Sequence, residues 1–248
     1  MQERKKMALA ERLIVAADFK PDDLGWRGVR QQVISLCETL SGTGVYIKVN
    51  SVLRACGYNL IDAIHSHGLK VFADLKLNDI PETLATDGAL LREVKPELLT
   101  VMCTTGIASM SALKTELPDT EILGVTVLTS LTEAEVLKIY RYPAILLAVR
   151  DLSELAFQAG IGGVVCSAKE AETLRRNLGD SMTINTPAIR PSWSIVAGDD
   201  QNQKRVMTPA DAIKAGADRI VVGRPIVRAT DPHKAVMRTL EEIASVVG

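Results

Sequence analysis

Short runs of Val, Ile and Leu recur along the chain and alternate with longer stretches in which apolar residues follow a helical spacing. Most of these runs are apolar at nearly every position, which is typical of strands that are buried on both faces of a parallel sheet. The pattern therefore predicts a series of strand–helix units. The predicted strands cover residues 12–18, 45–49, 70–76, 98–103, 121–129, 163–167, 183–189 and 219–223.

Eight such units within 248 residues fit a (β/α)8 barrel better than a doubly wound sheet. No GxGxxG motif follows the first predicted strand, which argues against a dinucleotide-binding fold. We therefore expect an α/β protein with a single barrel domain over residues 1–248. A long polar stretch, residues 192–204, follows the seventh strand, and loops of this kind are usually functional lids or disordered tips. We expect a lid.

The overall charge excludes some classes of partner. The chain has 29 basic and 30 acidic residues, so nothing argues for a surface that binds nucleic acid or an anionic membrane. An anionic ligand must be held by a local site. The N-terminal segment, residues 1–6, is rich in charge and precedes no signal-peptide core, and no apolar run approaches the ~20 residues that span a bilayer.

The four cysteines are widely spaced and form no CxxC motif. A zinc site or a disulfide framework is therefore not expected, and we predict a protein of the reducing cytoplasm without a bound metal. The four are Cys37, Cys56, Cys103 and Cys166.

Charged residues gather at the predicted carboxyl ends of the first three strands, where barrels of this kind place their chemistry. Asp18 ends the first strand, Lys48 lies in the second, and Asp74 and Lys76 lie on one face of the third. Asp79 follows where the chain turns into a helix. We expect Lys48, Asp74, Lys76 and Asp79 to form a chain of alternating charges, in which a fixed, protonated lysine can donate a proton. An isolated pair of this kind could equally be a structural ion pair.

A second candidate site lies at the ends of strands seven and eight, where barrels often hold phosphate. Gly223 lets backbone N–H groups approach an anion, and Arg224 offers a planar donor fork for phosphate oxygens. The alternative is that Arg224 simply begins a helix. The other candidate positions at strand ends are Thr129, Ser130, Pro187 and Arg190.

Taken together, these motifs resemble the orotidine 5'-monophosphate decarboxylase family along nearly the whole chain. The DxKxxD element within residues 74–81 is only moderately specific, since a wider barrel superfamily shares it. Combined with Lys48, the TPAIRP segment 186–191 and the VGRP segment 222–225, the resemblance is strong. Further matching segments are 15–18, 46–49, 125–130, 203–209 and 216–225.

The resemblance implies decarboxylation of orotidine 5'-monophosphate (OMP) to UMP and CO2, the last step of UMP synthesis, without a cofactor. Lys76 would protonate C6 of the pyrimidine, Asp74 would lie against the substrate carboxylate, and Lys48 would bind the ribose and hold Asp74. Asp79 and Thr83 would reach into the neighbouring subunit's site, which implies a homodimer. The other implied contacts are Asp18 to a ribose hydroxyl, Thr129 or Ser130 to the pyrimidine edge, Pro187 beside the base, and Arg190, Gln203, Gly223 and Arg224 to the phosphate.

Three positions depart from the family pattern. Ala188 stands where the family usually has the glycine of TPGIRP, and Asn50 stands where a glycine is common after the lysine of strand two. Extra residues at 199–202 also leave Gln201 as a competitor of Gln203 for the phosphate. None of these departures removes a charged catalytic position.

Two other readings remain open. The first is a metal-dependent sugar-phosphate decarboxylase or aldolase-like relative on the same scaffold; such enzymes need magnesium and normally carry a glutamate after strand two, where Lys48 would repel a cation. The second is a catalytically silent nucleotide-binding barrel, against which the intact Asp74, Lys76 and Asp79 argue.

Overall fold

The computed structural model describes residues 7–21, 23–195 and 207–247. In these ranges eight parallel strands pair in sequence order, and β8 pairs with β1, so the sheet closes into a barrel. The predicted (β/α)8 fold is therefore confirmed. The strands are β1 (Leu13–Ala16), β2 (Tyr46–Val49), β3 (Lys70–Leu77), β4 (Leu98–Met102), β5 (Glu121–Val125), β6 (Gly163–Val165), β7 (Thr183–Thr186) and β8 (Arg219–Val222).

Helices cover the outside of the barrel and return the chain to the start of each next strand. They are α1 (Trp26–Leu40), α2 (Ser51–Cys56), α3 (Asn59–His65), α4 (Pro81–Leu91), α5 (Ile107–Glu116), α6 (Glu133–Tyr140), α7 (Ile145–Gln158), α8 (Ala168–Leu178), α9 (Pro209–Lys214), α10 (Arg224–Val227) and α11 (Pro232–Ala244). No helix in the described ranges is long and apolar enough to cross a membrane.

Six of the strands end earlier than the apolar runs predict, and the difference is largest in β5 and β7. β5 stops at Val125, where its pairing with β6 ends. Thr126 and Val127 lie in the following loop and stay buried, so they lengthen the apolar run without lengthening the strand. β7 stops at Thr186 because Pro187 has no N–H to continue the ladder. Of the predicted lid, Ser192–Ser194 form a 3-10 helix, while residues 196–204 lie outside the described residues.

The interior of the barrel is layered along the strands. Arg219 and Val221 of β8 and the following Gly223 succeed one another on the inward face, and β3 and β5 repeat this order of polar, apolar and cleft-lining positions. The middle layer is a small apolar cluster, separate from the larger core between barrel and helices. Its buried members are Ile14, Ala16, Tyr46, Phe72, Leu98, Leu123 and Val221.

Below this layer, at the amino ends of the strands, lies a polar cluster that we call the amino-end network: Glu121, Thr183, Asn185 and Arg219. The Arg219 guanidinium donates to both carboxylate oxygens of Glu121, at 2.9 and 2.8 Å, and to Asn185 Oδ1 at 3.3 Å. Thr183 Oγ1 donates to Glu121 at 2.5 Å. The guanidinium is 4% exposed, so this network is a buried, bidentate ion pair that closes the amino end of the barrel.

Candidate active site

A cleft of about 1290 Å³ opens at the carboxyl ends of the strands, above the apolar layer. Apolar side chains such as Phe72, Val125 and Val221 form part of its wall. Most of the site residues predicted from the sequence also line this cleft. These are Asp18, Lys48, Asp74, Lys76, Thr129, Pro187, Arg190, Gly223 and Arg224.

Four charged side chains on one side of the cleft form a continuous series that we call the carboxyl-end charge chain: Asp18, Lys48, Asp74 and Lys76. Lys48 Nζ donates to the two carboxylate oxygens of Asp18 at 2.7 and 2.9 Å, and lies 3.3 Å from Asp74 Oδ2. Lys76 Nζ donates to Asp74 Oδ1 at 2.6 Å. Acid and base alternate, so each lysine stabilises a neighbouring carboxylate.

Asp74 is held in its ionised form by this arrangement. Burial of its carboxyl group favours the neutral form, but the ammonium groups of Lys48 and Lys76 outweigh burial and the pKa of Asp74 lies below its ordinary value. Hydrogen bonds from Lys76 and from Thr100 act in the same direction. The centre of the chain is therefore a carboxylate, 9% exposed, that faces the cleft with its charge retained.

Asp79 does not join the charge chain in this chain, contrary to the sequence-based expectation, and Asp18 occupies the terminal acidic position instead. Asp79 is exposed and its carboxylate accepts from the backbone N–H of Ile80 at 2.8 Å. It lines a second cleft, of about 570 Å³, which Lys76 also borders. Thr83 is likewise exposed, on the first turn of α4. Both residues thus face outward, because the chain has already left the barrel mouth when it reaches them.

The residues predicted to bind phosphate lie on the other side of the cleft. Gly223 precedes the short helix α10 and Arg224 begins it, with its side chain exposed. A Cβ at Gly223 would meet no atom nearer than 3.5 Å, so the glycine leaves open space at the cleft rather than relieving a clash. Arg190 lies in the segment after β7, and its N–H donates to Met207 O at 3.1 Å. Gln203, like its competitor Gln201, lies outside the described residues.

The remaining candidates lie in loops between these two sides. Pro187, directly after β7, and Thr129, in the loop after β5, both line the cleft. Ser130 is exposed and does not, so of the two alternatives for the pyrimidine edge only Thr129 faces the cavity. Ala188 has a φ of +63°, the left-handed conformation that glycine adopts without strain. Asn50 has a negative φ, and its side chain caps α2 by accepting from Ser51 N.

Sequence reasoning missed two residues that hold the charge chain from behind. Thr100, on β4, bonds both to Asp74 Oδ1 and to the backbone N–H of Lys76. Arg54, on α2, donates to the carbonyl oxygen of Leu75. A single polar residue at an inward position of an apolar strand was the available signal for Thr100, whereas nothing in the sequence relates Arg54 to β3.

The described residues contain no group of three or more His, Cys, Asp or Glu side chains that could hold a metal ion. At the nearest candidate, the carboxylates of Asp18 and Asp74, the Lys48 ammonium lies between the two acids. A divalent cation there would be repelled by a positive charge that already compensates both. The geometry therefore argues against the hypothesis of a metal-dependent sugar-phosphate decarboxylase or aldolase-like enzyme.

Known proteins resemble this chain in both sequence and fold. A family model described as "Orotidine 5'-phosphate decarboxylase / HUMPS family" matches residues 11–239. The orotidine 5'-phosphate decarboxylase of Afipia carboxidovorans is 42% identical over 239 residues, covering 94% of this chain and 95% of the relative. That of Gluconobacter oxydans is 43% identical over 199 residues, covering 77% and 82%. Among solved structures, orotidine 5'-phosphate decarboxylase from Lactobacillus acidophilus is similar with a TM-score of 0.77 and 28% identity, covering 94% of this chain and 99% of that one.

Proposed function

The chain belongs to the orotidine 5'-phosphate decarboxylase / HUMPS family, and from that premise we propose how its barrel converts OMP to UMP and CO2. Relatives of 42% and 38% identity over 94% of the chain carry the name orotidine 5'-phosphate decarboxylase. The carboxyl-end charge chain is the main support for this proposal. It lies on one side of the cleft, and the other side has open space beside Arg224.

The reaction is difficult because the electron pair that remains on C6 when CO2 leaves is not delocalised into a ring carbonyl. The site must therefore stabilise a localised negative charge. We assign this task to the Lys76 ammonium, which lies in the cleft and is fixed by Asp74 at 2.6 Å. The C6–carboxylate bond breaks, its electron pair stays on C6, and a Lys76 proton forms the C6–H bond. The neutral amine then takes a proton from water.

Asp74 and Lys48 orient the substrate around that step. The Asp74 carboxylate would lie against the carboxylate of OMP, whose repulsion is relieved as neutral CO2 forms. Lys48 keeps Asp74 in place and, together with Asp18, would bind the ribose hydroxyls. Both side chains line the cleft next to each other, which supports this division of roles.

The phosphate end supplies binding energy far from the reacting carbon. Arg224 and Arg190, with the open space at Gly223, would hold the phosphate dianion, and Gln203 would join them. Pro187 would lie beside the base and Thr129 would bind its polar edge. Binding energy from such remote contacts can be used to align the reacting group with Lys76. Residues 192–204 would close over the bound nucleotide.

The direct test follows loss of pyrimidine absorbance when purified protein is mixed with OMP, with and without EDTA. We expect conversion to UMP that EDTA does not change. Conversion that EDTA abolishes would favour the metal-dependent alternative. Tight UMP binding without any conversion would favour the silent nucleotide-binding barrel.

We further propose that the protein acts as a homodimer in which Asp79 and Thr83 complete the partner's site. Their exposure beside the second cleft, which Lys76 borders, supports this arrangement. Mixing inactive Lys76→Ala and Asp79→Ala proteins should restore about a quarter of wild-type activity, because half of the dimers would be mixed and each would hold one intact site. No restoration after verified subunit exchange would contradict shared sites.

We propose a cytoplasmic location for the protein, on the basis of its cysteines. All four are free thiols, and three of them are buried, as suits a reducing compartment.

A further inference from the structure

The strand that carries Asp74 and Lys76 departs from regular pairing where these two residues lie. β3 and β4 pair regularly at Phe72–Leu98 and Ala73–Leu99, and pair again at Leu77–Val101. Three residues of β3, 74–76, therefore face a single residue of β4, Thr100. Such a bulge bends the strand and changes the direction of its side chains.

The bulge places Lys76 in an unfavourable backbone conformation. Its φ is +49°, in the left-handed region, which is unfavourable for any residue other than glycine. A residue stays there only when its surroundings fix it. The backbone N–H of Lys76 has left the ladder and needs another partner, since a buried donor without one is costly.

Thr100 supplies that partner and a second bond besides. Its Oγ1 accepts from Lys76 N at 2.9 Å and donates to Asp74 Oδ1 at 3.0 Å. The residue is fully buried on the inward face of β4. One hydroxyl thus fixes the backbone of Lys76 and the carboxylate of Asp74 at the same time. Arg54 assists from outside by donating to Leu75 O.

We propose that Thr100 is a positioning residue of the decarboxylation, whose hydroxyl sets the distance and direction of the Lys76 ammonium relative to the Asp74 carboxylate. The inference rests on the roles given above to Asp74 and Lys76. Thr100 itself does not line the cleft and would not touch the substrate. Its function lies in holding the bulge in the one conformation that aims Lys76 into the cleft.

The hydroxyl is the part of the side chain that matters. Valine has the same shape but neither accepts nor donates, so Thr100→Val removes both bonds while filling the same space. Serine keeps the hydroxyl and loses only a methyl group. Thr120 offers a matched control, because its buried hydroxyl donates to Pro96 O at 2.8 Å just before β5, at the opposite end of the barrel.

The experiment compares kcat for OMP and the affinity for UMP in wild type, Thr100→Val, Thr100→Ser and Thr120→Val. We expect kcat of Thr100→Val to fall about 10- to 100-fold, the loss that a misplacement of about 1 Å can cause. UMP affinity should change by less than about 3-fold, because UMP lacks the carboxylate that leaves and its phosphate contacts are remote. Thr100→Ser and Thr120→Val should keep kcat within about 3-fold of wild type.

Several outcomes would overturn the inference. Wild-type kcat in Thr100→Val would mean that the bulge needs no hydroxyl. A loss in Thr100→Ser equal to that in Thr100→Val would assign the effect to packing, and an equal loss in Thr120→Val would assign it to general stability. Absence of turnover in the wild type is a different result, since it would contradict the proposed function rather than the role of Thr100.

Discussion

Ionised side chains occupy both ends of the barrel interior, and the cation of the amino-end network has more hydrogen-bond partners within the protein than the Lys76 ammonium of the carboxyl-end charge chain. In the amino-end network, Arg219 makes a bidentate pair with Glu121 and also bonds to Asn185. In the carboxyl-end charge chain, the Lys76 ammonium has three N–H donors, and among the described residues only Asp74 accepts from it.

Exposure follows the same division. The Arg219 side chain is 4% exposed, whereas that of Lys76 is 36% exposed and faces the cleft. A buried charge that is paired with a carboxylate can hold a structure together but is not accessible to a ligand. A charge fixed on one side and open on the other can act on a substrate, which explains why one barrel uses the same kinds of residue for two purposes.

The largest effect should come from removing the open charge. Lys76→Ala should lower kcat/KM by at least about 10⁴-fold, because both the electrostatic stabilisation and the proton donor are lost. Stability should change little, since Asp74 keeps Lys48 at 3.3 Å and Thr100 at 3.0 Å. OMP turnover and UMP affinity measure the two parts separately.

Lys70 gives a matched control on the same strand. It is the first residue of β3 and bonds to Glu11 at the amino end of the barrel. Lys70→Ala should leave kcat/KM close to the wild-type value. Substantial turnover in Lys76→Ala would remove Lys76 as the donor.

Removing the closed charge should have the opposite profile. Arg219→Met leaves Glu121 without its partner in a mostly buried position, and we expect the free energy of unfolding to fall by about 3–5 kcal/mol. Under conditions where the variant is folded, kcat/KM should match that of wild type. Urea denaturation and steady-state kinetics test the two statements.

The double variant Glu121→Gln with Arg219→Met sharpens this result. The double variant also removes the Glu121 carboxylate charge that Arg219→Met leaves unpaired, so it should recover a large part of the lost stability. If the double variant is no more stable than Arg219→Met, the cost lies in packing over Tyr46, whose ring lies 5.5 Å from the guanidinium carbon, rather than in charge.

Backbone strain is also present in the wall of the cleft, at Ala188. Ala188 lines the cleft with a φ of +63°, so Ala188→Gly should raise the free energy of unfolding by up to about 1 kcal/mol. Ala215, with a φ of −70°, is the control, because glycine there should destabilise by up to about 1 kcal/mol. Equal effects of both substitutions in a thermal or urea denaturation would contradict the strain at Ala188.

The smallest effect concerns the pair of His65 and Glu97, 3.2 Å apart near the amino ends of β3 and β4. The hydrogen bond to Glu97 raises the pKa of His65 above its ordinary 6.5. The resulting stability is therefore complete below pH 6.5 and is lost as the pH rises through the raised pKa. Solvent screens this partly exposed pair, so wild type and His65→Gln should differ by less than about 1 kcal/mol at pH ~5.5 and should converge by pH ~8.5. A constant difference would contradict a protonation effect.

The sequence predicts the fold well because most of the strands are buried on both faces and read as apolar runs. It also predicts Lys48, Asp74 and Lys76 as neighbours, since all three lie at carboxyl ends of adjacent strands. It does not predict the separation of Asp79 from them, because sequence spacing alone does not reveal where the chain turns away from the barrel mouth. Nor does it reveal Arg54, whose contact with β3 exists only once α2 has packed.

The apolar layer of Ile14, Phe72, Leu98, Leu123 and Val221 separates the two sets of charges. Each set consequently has its own surroundings, and within the described part of the chain no hydrogen bond or ion pair links Arg219 with Lys76. For protein engineering, the amino end is thus a place where stabilising or destabilising substitutions can be introduced without changing the catalytic activity at the carboxyl end. In evolution, the same partition lets a lineage adapt to temperature at one end while selection on the substrate acts at the other.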